Sequence, residues 1–213
     1  MQFCKGAGCA ELAGMRESEE RDGYRLIRPL LHLEKEALME YLHLHERKYF
    51  LDESNNDLSI KRNHFRHNYT LTLMKENLAG IKKSFAYIDE DFDLLIETIE
   101  IQKIKDFAYF RSSQKSRSDI YALDKYLKEQ GYMPTASERE LLKSNTTLVL
   151  GRRFLVSVWS DFICITPFTK SAITLPKEFK ESCRKLQIEP KMRPYLFENP
   201  EVFLALQTLL KSF

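Results

Sequence analysis

Met74, Leu78, Ile81, Phe85, Ile88, Phe92, Leu95 and Ile99 recur at alternating intervals of four and three residues. That period places all of them along one side of an α-helix. No proline interrupts the run, and Gly80 is its only weak point. An apolar stripe of this length needs covering. The chain from Leu58 onward is therefore expected to be helical over a long stretch and to pack as a hairpin or small bundle. An intermolecular coiled coil is the other way to cover the same stripe. The seam residues are read as core, with no ligand role.

The regions on either side differ in character. Tyr24 to Leu31 is a short apolar run closed by Pro29, which suits an edge or terminal strand. Leu33, Ala37, Leu38, Tyr41 and Leu42 then follow helical spacing over about three turns. One strand and one helix cannot form a stable layer, because a sheet needs neighbours to cover its faces. Ser118 to Ser144 reads as helix, turn at Gly131 and Pro134, then helix. This is the outline of a DNA-reading helix pair, except that Glu138 and Glu140 stand where a groove-entering helix needs donors. Leu148 to Thr166 holds β-rich runs broken by Gly151-Arg152-Arg153 and Ser160-Asp161, the pattern of a two- or three-stranded meander. The expected fold is mainly α with an α/β remnant, divided as residues 1–57, a helical domain at 58–145 and a small α+β C-terminal module at 146–213.

Residues 52–66 carry the densest chemistry. Asp52, Ser54, Asn55 and Asp57 are helix-start residues, whose side chains accept hydrogen bonds from the free N–H groups of a first turn. Arg62 and Arg66 follow at i, i+4 with Asn63 beside them, which puts two guanidinium forks on one helix face. Such a pair suits a phosphate or carboxylate ligand. The same spacing also suits a capped helix whose arginines pair with Asp52 and Asp57. Both readings stand at this stage.

Net charge is only +2, so any nucleic-acid site must be a local patch. Two stretches qualify. Between Ile101 and Arg117, Lys103, Lys105, Arg111, Lys115 and Arg117 interleave with Phe107, Tyr109 and Phe110. Cations beside stacking rings suit RNA, and they equally suit an amphipathic helix end with a basic rim. Lys177, Lys180, Arg184, Lys185, Lys191 and Arg193 make the C-terminal part basic. The cysteines at 4, 9, 164 and 183 form no C-x-x-C pair, and the five histidines complete no zinc set, so no metal site is expected. No apolar run approaches the roughly 18 residues of a membrane span. A cytoplasmic protein with no membrane partner is expected.

Three blocks in fixed order resemble the tRNA(Ile)-lysidine synthetases, ATP pyrophosphatases of the PP-loop class. Gly6-Ala-Gly8-Cys-Ala-Glu-Leu12-Ala-Gly14-Met15 is similar to that family's Gly-x-Gly-x-x-x-Leu-x-Gly-Met loop. Arg28-Pro29-Leu30-Leu31 is similar to its strand end. Asp52-x-Ser54-Asn55-x-Asp57, followed by Arg62-Asn63-x-x-Arg66, is similar to its acidic and arginine segment. The family's Ser-Gly-Gly-x-Asp-Ser nucleotide loop has no counterpart, for the chain has seven glycines and no two are adjacent. Lys5 stands where the family usually has arginine, which keeps the charge but not the bidentate fork.

The resemblance implies the back part of such an enzyme. Residues 1–57 would be the end of a PP-loop (adenine-nucleotide α-hydrolase-like) domain, followed by the helical domain and a module touching tRNA. The implied partners are tRNA(Ile), L-lysine and ATP with Mg2+, with a homodimer left open. In the family, ATP adenylates the C2 oxygen of the anticodon's first cytidine and lysine's amine displaces AMP. Arg62, Asn63 and Arg66 would carry the chemistry. Asp52, Ser54, Asn55, Asp57 and Lys5 would bind substrate, and Lys103, Lys105, Arg111, Lys180, Arg184 and Lys185 would bind RNA. Without the phosphate loop, this chain alone is expected not to hydrolyse ATP. A tRNA-binding remnant without chemistry, and a helical scaffold or DNA-binding protein, are the alternatives.

Overall fold

The computed structural model describes residues 3–12, 14–21, 23–169 and 173–211, with the side chains of Lys5, Leu210 and Lys211 left aside. The chain divides into two compact units, between Leu94 and Leu95. The sequence had suggested boundaries at 57/58 and 145/146.

The first unit begins with a 3-10 turn, Phe3–Lys5, and a four-residue helix α1, Cys9–Leu12. Strands β1 (Ser18–Arg21) and β2 (Tyr24–Ile27) form an antiparallel hairpin whose turn uses Gly23 at φ +79°. Arg28 closes its base: one nitrogen donates to the Arg16 carbonyl at 2.9 Å, and the other meets Glu19 at 3.2 Å. Helix α2 (Lys35–Leu44) forms where its spacing predicted. After the 3-10 turn Glu53–Asn56 come α3 (Lys61–Phe65), a π-helical turn (Arg66–Thr70) and the 25-residue α4 (Leu71–Leu95).

The long helix was legible, but its interruption and its burial were not. The break lies at Asn77 (φ −131°, ψ 20°), three residues before Gly80. The Asn77 amide donates to the Leu73 carbonyl at 3.3 Å, a local bond of the kind that competes with the helical ladder. The seam is not core: Met74, Phe85 and Leu95 are exposed, and Leu78, Ile81, Ile88 and Phe92 are half-buried.

The second unit holds the hydrophobic core. Residues 102–111, read in the sequence as part of a helical domain, are two strands, β3 (Gln102–Ile104) and β4 (Phe107–Arg111). Helices α5 (Ser116–Glu129) and α6 (Ala136–Ser144) follow, then β5 (Thr147–Leu150), β6 (Phe154–Trp159) and β7 (Phe162–Pro167). The chain ends in α7 (Lys177–Lys185), α8 (Arg193–Glu198) and α9 (Pro200–Lys211). All five strands make one antiparallel sheet in the order β3-β4-β7-β6-β5.

Period-2 alternation explains why 107–111 is a strand. Phe107 and Tyr109 face one side with Leu155, Trp159 and Cys164, under Cys183, Leu196, Val202 and Leu206 of the last three helices. Ala108 and Phe110 face the other side with Val156, Ile163 and Ile165, under Leu123, Tyr126 and Leu127 of α5. The result is a sheet covered on both faces by helices. Each large side chain so buried contributes roughly 1.5–3 kcal/mol. The helix pair α5–α6 lies against this sheet, and its Glu138 closes a capping box with Thr135. Glu138 therefore holds a helix start and is not a misplaced groove residue.

Candidate functional site

The 52–66 segment is built almost wholly from local hydrogen bonds. Asp52 accepts from the Ser54 N–H at 3.0 Å and starts the 3-10 turn. The Asn55 amide donates to the Asp52 carbonyl at 3.1 Å, and Asp57 accepts from the Ser59 N–H at 2.9 Å. The Ser54 and Ser59 hydroxyls, and then the backbone N–H groups of the same two residues, hold the Asp52 and Asp57 carboxyls below the usual carboxylate range. Asn63 is the one buried residue among those described in the first unit. Its amide donates twice, to the Ser54 carbonyl at 2.8 Å and the Asp57 carbonyl at 3.1 Å. With both donors engaged on backbone, Asn63 staples the turn to α3.

The arginines are placed differently. The Arg62 side chain is exposed and makes no ion pair or hydrogen bond among the described residues. The Arg66 side chain is half-buried and, among the described residues, reaches only the Asn55 side-chain oxygen, at 3.5 Å. Neither pairs with Asp52 or Asp57, so the purely ion-paired reading of the segment does not describe the structure. The aspartates are engaged with N–H groups, which leaves the guanidinium charge available. The π-helical turn opens at Arg66 and inserts an extra residue into the helical phase. His67 then lies with Nε2 at 3.4 Å from the Asn55 carbonyl, whereas the His64 ring approaches Tyr69. The two histidines do not form a pair. No group of three potential metal ligands occurs among the described residues. The Lys5 side chain, expected to bind substrate, lies outside the described ones.

The second unit disperses the predicted RNA contacts. Lys103 pairs with Glu129 at 3.7 Å and lies over the Tyr126 ring, Lys105 pairs with Glu201, and Arg111 pairs with Asp161 at 3.4 Å. Phe107 and Phe110 are buried in the core and cannot stack on a base. On α7, Arg184 pairs with Glu181 at 2.8 Å, while Lys180 and Lys185 are exposed with no ion pair among the described residues. Arg193 is held by the Ile188 carbonyl. Sequence reasoning missed Ser59 as the Asp57 partner and the stapling role of Asn63. The i+2 spacing of Asp57 and Ser59 was the available signal for the first; the second had none.

Arg62 and Arg66 are the cations this segment offers to an anion, and the sequence holds no Ser-Gly-Gly-x-Asp-Ser segment beside them. No helix among the described residues is long and apolar enough to cross a membrane.

Comparison with known proteins agrees with this partial character. The PP-loop domain family matches residues 1–73. A tRNA(Ile)-lysidine synthase of Wolinella succinogenes is 38% identical over 199 residues, covering 92% of this chain and 60% of the relative. Proteins of the same name from Helicobacter pylori (32% over 198 residues; 92% and 57%) and Campylobacter jejuni (34% over 200 residues; 93% and 60%) match similarly. The chain is thus homologous to these proteins over most of its own length, and it spans about 60% of theirs.

Proposed function

We propose that this homologue of the tRNA(Ile)-lysidine synthases supplies the tRNA- and anion-contacting part of a lysidine-forming ligase. The observation that carries the reading is the similarity over 199 residues to the Wolinella succinogenes protein, joined to a motif segment whose Arg62 side chain has no partner among the described residues. The reaction would join lysine to C2 of a cytidine in tRNA(Ile). The C2 oxygen attacks the α-phosphorus of ATP and pyrophosphate leaves. The lysine amine then attacks C2 and AMP departs with that oxygen, while the amine gives up a proton. Negative charge grows on the phosphate oxygens in the first step, and a preorganised cation beside them lowers the barrier. Arg62 would take that role, with Arg66 one helical turn on. Asn63 acts through the turn it staples, and Asp52, Ser54, Asn55 and Asp57 shape that turn. Lys180 and Lys185 are the cations best placed for RNA phosphates. A cytoplasmic location follows from the substrate.

A second reading, tRNA binding without chemistry, is favoured by one observation: Lys180 and Lys185 on α7 are exposed with no ion pair among the described residues, as RNA phosphate contact requires. The experiment that separates them fuses this chain to the unmatched segment of the Wolinella succinogenes relative and follows radiolabelled lysine into a tRNA(Ile) transcript with Mg·ATP. Incorporation is expected. Arg62→Ala should lower it by about 100-fold, the size of a lost transition-state contact, with the circular dichroism unchanged. A fusion that binds tRNA but incorporates nothing would leave the second reading. Full activity of Arg62→Ala would remove Arg62 from the mechanism.

A further inference from the structure

We propose that residues 78–94 of α4 form a strap that opens at Asn77 and is latched to the rest of the first unit by Arg16. Helix α4 is broken at Asn77, where the side-chain amide bonds back to the Leu73 carbonyl and the helical ladder is weakest. Beyond the break no described residue of α4 is buried, and Leu78, Ile81, Ile88 and Phe92 are only half-buried. A helical segment of this length is marginal alone in water. Contacts from outside the helix must therefore hold it.

Those contacts are largely electrostatic and converge on one side chain. Asp89, Phe92 and Asp93 share a helix face by their spacing, and a single guanidinium serves all three. Arg16, in the loop before β1, meets Asp89 at 3.4 Å and Asp93 at 3.3 Å, and its guanidinium carbon lies 4.5 Å from the centre of the Phe92 ring. The Arg16 backbone is itself held, because its carbonyl accepts from the Arg28 guanidinium at 2.9 Å. A lesser tie joins Lys82 to Glu34, just before α2, at 2.9 Å. The Asp89 Oδ1 atom is shut off from solvent and has no hydrogen bond, so Arg16 is its one balancing cation among the described residues. Removing Arg16 leaves that oxygen desolvated and unpaired, which favours its return to water. Contacts of this kind are individually weak and screened by salt, unlike the buried apolar packing of the second unit. The apolar seam of α4 is thus covered only while the latch is closed. The 52–66 turn has its own local bonds and does not depend on it. The inference stands apart from the lysine-transfer reading.

Hydrogen exchange followed by mass spectrometry on the full chain tests this. Arg16→Ala should speed exchange in residues 82–94 by about tenfold, the combined effect of two exposed ion pairs and one cation–ring contact. The change should stop at Asn77, and residues 61–70 and 102–167 should keep their rates. Asp89→Asn together with Asp93→Asn should act similarly, and adding Arg16→Ala to that pair should change little, because all three work through one contact. Arg16→Lys should fall between, since it keeps the charge and loses the planar fork. In the unsubstituted chain, raising the salt from about 0.05 to about 1 M should give the same selective increase, and the Arg16→Ala chain should respond less. The salt series needs no substitution, so it decides the matter when a variant does not fold. Three results would overturn the inference: rates in residues 82–94 that ignore salt, equal acceleration in residues 61–70, which would mean that the first unit opens as a whole, or full additivity of the Arg16 and aspartate substitutions.

Discussion

Replacing Asn63 with alanine removes both hydrogen bonds that tie the 52–57 turn to α3. The cost can be worked from what the two carbonyls keep. Ser54 O still accepts from the Asp57 N–H at 3.2 Å, and Asp57 O from the Ile60 N–H at 3.3 Å. Neither carbonyl is orphaned, so the full penalty of a buried unsatisfied group does not apply. Two net bonds at about 0.5–1.5 kcal/mol each leave a local destabilisation of about 1–3 kcal/mol. The midpoint, about 2 kcal/mol, corresponds to a roughly 30-fold shift in the opening equilibrium. Hydrogen exchange followed by mass spectrometry should therefore show the Asp57 and Ile60 amides exchanging roughly 30-fold faster, within the range set by those bond energies. Amides in β6 and β7 should keep their rates. Asn63→Asp should speed the same amides at least as much, since it loses the donors and sets a carboxylate against the two carbonyls. Unchanged exchange at Asp57 and Ile60 in both variants would refute the stapling role and return Asn63 to a direct part in binding.

The second unit offers two further tests. Gly151 has φ +53°, and a Cβ there would overlap the Tyr132 ring, so Gly151→Ala should displace that ring from Glu138. Left-handed strain plus the lost hydrogen bond should cost about 2–3 kcal/mol in urea unfolding, and an unmoved midpoint would contradict the packing. Burial and the 2.6 Å bond to Glu138 push the Tyr132 hydroxyl up to about 12. Because the folded value is the higher one, the stabilisation is fully present below the unfolded value of about 10 and is lost as pH rises toward 12. Carbon NMR of the tyrosine ring should show this resonance, assigned by its loss in Tyr132→Phe, titrating near 12; ionisation near 10 would sink the assignment.

What could be read from the sequence tracks how local the determinants are. The capped turn at Asp52 needs only its next two residues, and α2 needs only its spacing, so both were legible. The β5–β7 meander was legible from its β-rich runs and turn residues. Strands β3 and β4 were not, because cations at Lys103, Lys105 and Arg111 drew attention to charge, while the alternation of Phe107, Ala108, Tyr109 and Phe110 extends over only a few residues. The burial of the α4 seam could not be read at all: helical spacing says which residues share a side, not whether anything covers it. The same limit applies to the arginines. Spacing put Arg62 and Arg66 on one face, but whether Asp52 and Asp57 would quench them depended on where those carboxylates bond.

That last dependence ranks the cations proposed to meet an anion. In the β3–β4 region, each predicted RNA-contacting cation has an acidic partner at the surface, and two of the three rings that would stack are inside the core. An RNA phosphate there must displace a carboxylate before it gains a contact, and exposed ion pairs are worth only about 0–1 kcal/mol, so the net gain is small. In the 52–66 segment, the carboxylates that could have neutralised Arg62 already accept backbone N–H bonds at 2.9 and 3.0 Å. Their geometry is fixed by the turn, and turning toward the arginine would cost those bonds. In the proposed role, Arg62 would therefore meet an incoming phosphate without giving up a partner among the described residues. On that ground Arg62 comes first among the candidate cations, Lys180 and Lys185 second, and Lys103, Lys105 and Arg111 last.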